Sequence, residues 1–189
     1  MLILICITGA SGVSLALELL KVLKEKQIDT ELIISKVAKK VIRLETDYKL
    51  NDFYDLTKNT YDYNDLTAAP ASGSYKLDGM IVVPCTMKTL AAISHGYADN
   101  LITRTADVMI KEKRPLILIT RESPLSVIHL ENMLKLAKLG IIIAPPVPSF
   151  YIKPETVEDL ISHMAGRILD QININIDIKR WGIQSEKDT

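Results

Sequence analysis

The chain has 189 residues, of which 48% are hydrophobic and 24% are charged. This length is enough for one well-cored domain and rather short for two, and the apolar content excludes disorder over most of the chain. Lys and Arg together number 23, as do Asp and Glu, so a formal net charge of zero gives no electrostatic reason to expect a nucleic-acid partner.

The two cysteines, Cys6 and Cys85, form neither a disulfide framework nor a CxxC metal pair, which indicates a reducing compartment. The apolar N-terminus lacks the basic segment of a signal peptide, and an amphipathic helix pattern follows it at once. The longest apolar runs are far shorter than a membrane span. We therefore expect a soluble, cytoplasmic protein with no membrane partner.

Apolar runs alternate with helical spacing along the chain. Continuous apolar runs predict strands at residues 2–7, 30–35, 80–85, 116–120 and 141–144. Leucines at 15, 19, 20 and 23 mark a first helix, and further helices are predicted at 36–46, 86–94, 100–113, 126–139 and 154–172. In the helix 36–46 we expect Val37, Val41 and Leu44 to face the core. This alternation predicts an α/β fold with a single doubly wound parallel sheet.

Two regions depart from that alternation. Residues 47–79 are loosely patterned, with one short strand possible near Tyr61, and a long irregular stretch of this kind is more often functional than a linker. We assign residues 1–176 to one domain and residues 177–189 to a polar tail. Trp181 in this tail suggests docking onto a neighbouring subunit.

The turn at 8–12 (TGASG) joins the first strand to the first helix. Gly9 and Gly12 allow positive φ and close backbone approach, and Ser11 can cap the helix. The helix N-terminus suits a phosphate or an electron-rich ring edge. The turn is neither a GxGxxG fingerprint nor a P-loop, and a tight turn without any ligand fits it equally well.

Ligands of doubly wound sheets bind beyond the carboxyl ends of the strands, where this chain places several polar residues. Arg121 and Glu122 directly follow a strand. They form either a buried pair with a function at the site or a purely structural ion pair. Arg104 and Lys111 share a helix face, which is either a solvated basic edge or, with Arg121, an anion site.

Other candidates are weaker. Nothing local distinguishes Glu45, whereas the proline-rich segment before Tyr151 can fix this aromatic ring over a ligand. Arg167 shares a helix face with His163 and Asp170 and is expected to be exposed unless another subunit covers it. The histidines lack metal-ligand spacing and no catalytic triad is evident, so the chemistry is expected to come from a bound cofactor.

Taken together, these motifs resemble the UbiX-type flavin prenyltransferases, flavodoxin-like flavoproteins, over nearly the whole chain. The resemblance rests on GASG at 9–12, ETD at 45–47, PASGS at 70–74, the long segment 99–124, HLENMLKLAKLG at 129–140, PPVPSFY at 145–151, VEDL…RIL at 157–169 and RWG at 180–182. The family's SMKT segment stands here as Thr86-Met87-Lys88-Thr89, which keeps the hydroxyl at its first position.

The resemblance implies metal-independent transfer of the dimethylallyl group from dimethylallyl monophosphate to N5 and C6 of reduced FMN. The prenylated FMN would serve a UbiD-type decarboxylase, and the enzyme would be a homododecamer with sites at subunit interfaces. Carried over by position, the FMN-binding residues would be Gly9, Ala10, Ser11, Ser35, Thr86, Met87, Lys88, Thr89 and Arg121. The donor phosphate would meet Arg104, Lys111, Tyr151 and Arg167, and the catalytic residues would be Ser11, Glu45, Lys111 and Glu122.

Two alternatives remain. An FMN-dependent cysteine-conjugate decarboxylase would carry a PASANT-type loop and a PxMNxxMW motif, whereas the loop here reads PASGS and no counterpart of the second motif is visible. A non-catalytic flavin carrier would need no cationic pocket.

Overall fold

The structure is a computed structural model and describes residues 1–182. The six strands are β1 Leu2–Ile7, β2 Asp29–Ile34, β3 Asn59–Tyr61, β4 Gly79–Cys85, β5 Leu116–Thr120 and β6 Ile142–Ile143. The helices are α1 Val13–Glu25, α2 Lys36–Glu45, α3 Leu50–Tyr54, α4 Met87–Ser94, α5 Leu101–Lys111, α6 Val127–Lys138 and α7 Val157–Leu169. Among the described helices, none is long and apolar enough to cross a membrane.

All six strands are parallel, in the order β3-β2-β1-β4-β5-β6. The chain moves outward from β1 in one direction through β2 and β3, and in the other through β4 to β6. The single-domain, doubly wound, flavodoxin-like prediction is therefore confirmed. The reversal point lies between β1 and β4, and the crevice at their carboxyl ends is where such folds bind ligands.

Both faces of the sheet are covered, as the continuously apolar strands require. On β1, Ile3, Ile5 and Ile7 pack on one face with residues of α1, α2 and α7. Leu4 and Cys6 pack on the other face with residues of α4 and α5. Because side chains alternate along a strand, one apolar run supplies both cores and holds the carboxyl edge rigidly.

The predicted core stripe of α2 is correct for Val41, which packs against the core, and wrong for Val37 and Leu44. Ala38 and Ile42 are the buried residues of this helix, whereas Val37 is 57% and Leu44 84% exposed. Val37 instead lies over the β1–α1 turn, against Gly9. Apolarity gave the helical period correctly but did not show which side of the helix meets the sheet.

Several boundaries differ from the predictions. The helix expected from Pro154 begins at Val157, because Thr156 is its N-cap. The Asp159 carboxylate accepts hydrogen bonds from the backbone amides of Glu155 and Thr156, which fixes this start. Within residues 47–79 the short strand near Tyr61 is confirmed as β3, but helix α3 was not predicted.

The described part of the C-terminal segment packs on α7 of the same chain. A Cβ on Gly166 would lie 2.6 Å from Ile178, so the helix and the segment are in close contact. The Trp181 ring meets the Tyr151 ring edge-on at 5.5 Å and is 80% exposed. Docking of this tryptophan onto a neighbouring subunit stays a prediction, and residues 183–189 lie outside the described part.

Both cysteines are free and buried in the core. Burial raises the pKa of the Cys85 thiol to about 12 and raises that of Cys6 well above its ordinary value. Both remain protonated near neutral pH, so neither is suited to act as a nucleophile.

Candidate functional site

The turn between β1 and α1 needs glycine at two positions, one for close packing and one for a positive φ. Gly9 has no room for a side chain, because its Cβ would lie 2.4 Å from Cγ1 of Val37. Gly12 has φ of 104°, which L side chains rarely adopt. The prediction that these two glycines serve close approach and positive φ is confirmed.

The prediction that Ser11 caps α1 is wrong. Gly12 is the N-cap, and the amides of Gly12 and Val13 donate to Oε2 of Glu45 at 2.9 and 3.4 Å. Glu45 reaches them from the last residue of α2. A carboxylate therefore already occupies the positive end of α1, the place where a phosphate could have been expected.

A first cleft of about 450 Å³ opens beside this turn. Its polar side is formed by Ser11, Glu45 and Arg121. Its apolar walls include Pro84, Ile119, Pro146 and Met164. Apolar walls with a few polar groups suit an aromatic ring system or an allyl group.

A second cleft of about 280 Å³ lies on the other side of the turn, between the N-termini of α2 and α4. Its lining includes Gly9, Ser35, Thr86, Lys88 and Thr89. The Ser35 hydroxyl accepts from the Ala38 amide at 3.1 Å, and that of Thr86 from the Thr89 amide at 3.2 Å, so each hydroxyl caps its helix. Two helix N-termini and the Lys88 ammonium make this cleft suitable for an anion.

The Thr8 hydroxyl fixes the two clefts relative to each other. It donates to the Pro84 carbonyl at 2.7 Å and accepts from the Thr86 amide at 2.9 Å. It thereby ties the end of β1 to the end of β4 at the reversal point of the sheet. Sequence reasoning gave Thr8 no such role.

Arg121 and Glu122 are not a buried ion pair. Both are exposed at the end of β5, and no ion pair joins them among the contacts of residues 1–182. The Glu122 carboxylate accepts from the Ser123 amide at 3.0 Å, while Arg121 lines the first cleft. Arg121 therefore lies at the site, whereas the Glu122 carboxylate is hydrogen-bonded to the loop that follows it.

The expectation that Arg104 and Lys111 meet an anion together with Arg121 fails within one chain. Arg104 contacts Asp107 and donates to the Ala71 carbonyl at 3.0 Å. Lys111 lies seven residues on, about 10 Å further along α5, beside Glu112 and Gly73. Since α5 leads into β5, its C-terminal end is near the amino edge of the sheet, opposite the clefts.

Arg167 lies beyond the first cleft, and Tyr151 packs on His163 of the same helix. Arg167 lines a pocket of about 260 Å³ that shares Pro146 and Met164 with the first cleft. It is exposed as predicted, but its expected face neighbour His163 is buried at 4% exposure, because the ring packs under Tyr151. Asp170 accepts from both Arg167 and Arg180, which hold the pKa of this carboxyl below its usual range, Arg180 contributing most.

Ala10 and Met87 complete the predicted set, and both are half-buried at the turn and at the first residue of α4, respectively. Sequence reasoning did not predict the roles of Asp170 and Arg180. Charge alternation at i, i+3 between Arg167 and Asp170 was the available signal for that contact. Within residues 1–182, no three His, Cys, Asp or Glu side chains lie together in a way that could hold a metal ion.

FMN, which the resemblance implies, fits these residues. Ser11 and Gly12 line the first cleft and Gly9 lines the second, so the turn contributes to both, and the second also has the two capped helix N-termini and Lys88. The Thr120 hydroxyl at the end of β5 is buried and has no hydrogen-bond partner among the described residues. A ring system bearing a phosphate matches such a pair of clefts.

Comparison with known proteins agrees with this chemistry. The family model described as Flavoprotein matches residues 1–169. The mitochondrial flavin prenyltransferase PAD1 of Saccharomyces cerevisiae is 52% identical over 97% of this chain and 77% of its own length.

Two solved structures are also similar. AnUbiX (PadA1) in complex with FMN and dimethylallyl pyrophosphate has 47% identity and a TM-score of 0.95, covering 97% of this chain and 98% of its own. A dodecameric FMN-dependent UbiX-like decarboxylase from Escherichia coli O157:H7 also has 47% identity, with a TM-score of 0.94, covering 96% and 99%. The chain therefore belongs to the Flavoprotein family and, within it, to the UbiX-type flavin prenyltransferases.

Proposed function

We propose that this chain transfers the dimethylallyl group of dimethylallyl monophosphate to N5 and then C6 of reduced FMN. The observation that carries the proposal is the pair of clefts sharing the 9–12 turn, with Arg121, Glu45 and Ser11 around the first. The structure of AnUbiX with FMN and dimethylallyl pyrophosphate supports it. We keep residues 1–176 as the flavin-binding domain.

FMN would be held by both sides of the turn. Ser35, Thr86, Lys88 and Thr89 would bind its phosphate through hydroxyls, helix N-termini and an ammonium. Gly9, Ala10, Ser11, Met87 and Arg121 would contact the rest of the molecule. When bound in its reduced form, FMN supplies the nucleophilic nitrogen and carbon that accept the prenyl group.

The remaining cations would stabilise the leaving phosphate. Breaking the allylic C–O bond develops negative charge on that phosphate, and fixed guanidinium and ammonium groups lower the barrier by binding it. Arg167 and the Tyr151 hydroxyl would contribute from one chain, while Arg104 and Lys111 would come from a neighbouring subunit. With this charge in place the transfer would need no metal, so chelators are expected to leave the rate unchanged.

Protons would be handled by Ser11, Glu45 and Glu122. Glu45 lines the first cleft with Oε2 held by the amides of Gly12 and Val13, so its carboxylate has a fixed position. Glu122 directly follows Arg121, which lines the first cleft, and its exposed carboxylate would exchange a proton with a ligand there.

The assembly would be a homododecamer, as the UbiX-like relative from E. coli O157:H7 is described. Support comes from large apolar side chains exposed on the isolated chain, including Val127, Ile128, Leu134, Phe150 and Val157. A UbiD-type decarboxylase as recipient and a cytoplasmic location complete the proposal, although the yeast relative is named as mitochondrial.

The alternatives have less support. A cysteine-conjugate decarboxylase would require the loop motifs that are missing here, and its product would include CO₂. A flavin carrier would need none of Arg104, Lys111, Tyr151 and Arg167 for its function.

Single-turnover prenylation by two variants tests the assignment. Lys111→Ala and Glu122→Gln should each slow the reaction by about tenfold or more, because each removes a group acting on the developing charge or the proton. Lys113→Asn and Glu131→Gln are matched controls at exposed positions, and asparagine tolerates the φ of 54° at position 113. Wild-type turnover in both test variants would show the assignment to be wrong. The monophosphate and diphosphate donors are compared in the same assay, with and without EDTA.

A further inference from the structure

Beneath Tyr151 lies a buried histidine whose ring is fixed by the C-terminal segment. His163 on α7 is 4% exposed, and its ring meets the Tyr151 ring edge-on at 5.5 Å. Its Nε2 is 3.1 Å from the Tyr151 hydroxyl oxygen and 3.1 Å from the carbonyl oxygen of Lys179. The Nδ1 atom is buried and has no partner among the described residues.

These contacts determine the tautomer. A carbonyl oxygen only accepts hydrogen bonds, so the Nε2 atom facing Lys179 must carry the hydrogen. In the other tautomer, the Nε2 lone pair would face the carbonyl lone pairs, and the Nδ1 hydrogen would be buried without an acceptor. A buried donor without an acceptor loses its hydrogen bonds to water and gains none in return, which disfavours that arrangement.

The tautomer in turn sets the direction of the tyrosine hydroxyl. With the single ring hydrogen on Nε2 of His163, shared between the Lys179 carbonyl and the Tyr151 oxygen, the Tyr151 hydroxyl finds no lone pair on Nε2 to donate to. The phenolic hydrogen is then free to donate to a ligand. On its other side the Tyr151 ring is met edge-on by Trp181 at 5.5 Å, so two aromatic contacts restrict its rotation.

We propose that His163 is a positioning residue that, held by the Lys179 carbonyl, turns the Tyr151 hydroxyl into an obligatory donor toward the phosphate of the prenyl donor. The inference rests on the proposed function, since Tyr151 needs this orientation only if that phosphate binds beside it. The C-terminal segment then acts on donor binding through Lys179 and Trp181.

Steady-state kinetics on the full chain test the proposal. His163→Phe keeps an aromatic ring but removes the Nε2 hydrogen, and should raise the KM for dimethylallyl monophosphate about tenfold, the value of one hydrogen bond to a charged group. FMN affinity should stay within about twofold, because His163 lines neither cleft assigned to FMN. His163→Gln retains an N–H at similar reach and should recover most of the wild-type KM.

A double-mutant cycle separates positioning from a purely structural role. In a Tyr151→Phe background, His163→Phe should raise the KM no further, because the hydroxyl that it orients is already gone. Independent, multiplied effects of the two changes on the KM, or no rescue by His163→Gln, would overturn the proposal.

Nitrogen-15 histidine spectra of the sedimented protein give a readout that does not depend on turnover. The signal that disappears in His163→Gln should show a protonated Nε2 and an unprotonated Nδ1. The opposite tautomer would refute the inference and leave the prenyltransferase assignment intact. Absence of prenylated FMN with the wild-type chain would instead refute the proposed function and, with it, the role of His163.

Discussion

At the scale of single residues, Gly9 shows how tightly the turn at residues 8–12 is packed. A methyl group there would sit 2.4 Å from Cγ1 and 2.7 Å from Cβ of Val37, so the turn or the start of α2 must move. Overpacking of this kind costs about 1–3 kcal/mol, and we expect Gly9→Ala to weaken FMN binding about tenfold in a fluorescence titration.

Gly140→Ala is the matched control for that titration. Gly140 has φ of 85° with open space around it, and it leads into β6 at the edge opposite the clefts. Alanine there should lower the free energy of unfolding by about 1–2 kcal/mol without changing FMN affinity. Unaltered FMN binding by Gly9→Ala would contradict the position given to the flavin.

At the scale of elements, α7 and the C-terminal segment are joined by Asp170. Its two carboxylate oxygens accept from Arg180 at 2.8 and 2.9 Å, and Arg167 donates to one of them at 2.6 Å. These arginines orient the segment that carries Lys179 and Trp181 against Tyr151. These ion pairs thus link the end of α7 to the segment 177–182, which contacts Tyr151 and His163.

The stability that the Asp170–arginine ion pairs contribute to the fold should depend on pH. The arginines lower the folded-state pKa of Asp170, so its contribution is present above the ordinary carboxyl pKa of about 4 and is lost as the pH falls through the folded-state value. At pH 7, Asp170→Asn should lower the free energy of unfolding by about 2 kcal/mol in urea titrations, a difference that shrinks below pH 4. Glu155→Gln, an exposed change just before α7, serves as the control. An equal deficit for Asp170→Asn at pH 7 and pH 3 would argue against the ion pair.

The sequence predicted elements better than their orientation. Periodicity identified α2, yet Ala38 and Ile42 face the core rather than Val37 and Leu44. Helix α3 has only five residues, too few for the period to register, and Phe53 is its one buried residue. Cap chemistry would have placed the start of α7 at Thr156, where the capping-box signal was present.

At the scale of the whole molecule, Lys111 lies at the end of α5 that is remote from the two clefts of the same chain. It contacts Glu112 near the amino edge of the sheet, whereas Arg121 lines the first cleft at the carboxyl edge. If Lys111 serves a phosphate, it must serve that of a neighbouring subunit. No pattern within one chain could reveal this, because sequence spacing describes a single helix face.

Mixed oligomers test that arrangement. Lys111→Ala and Arg121→Ala subunits should each be poorly active alone, and co-expression should restore activity. Sites that combine the cleft of a Lys111→Ala subunit with the lysine of an Arg121→Ala subunit then contain both cations. Activity no greater than the sum of the separate variants would place Lys111 and Arg121 in the same chain's site, or Lys111 in none.

The candidate site was predictable only in part for the same reason. The strand ends located Gly9, Ser35, Thr86 and Arg121, because parallel strands bring their carboxyl ends to one edge. The contact of Glu45 with α1 joins elements far apart in the chain, and that of His163 with Tyr151 depends on how α7 packs against the segment just before it. Such contacts arise when elements pack together, and the spacing of residues within one element does not predict them.

The most direct test of the central claim is the mass of the flavin. The wild-type protein is mixed anaerobically with reduced FMN and dimethylallyl monophosphate, without metal, and the flavin is extracted for mass spectrometry. We expect a flavin heavier than FMN by one C₅H₈ unit. Recovery of unmodified FMN, still bound to the protein, would contradict prenyl transfer and favour a decarboxylase or a flavin carrier.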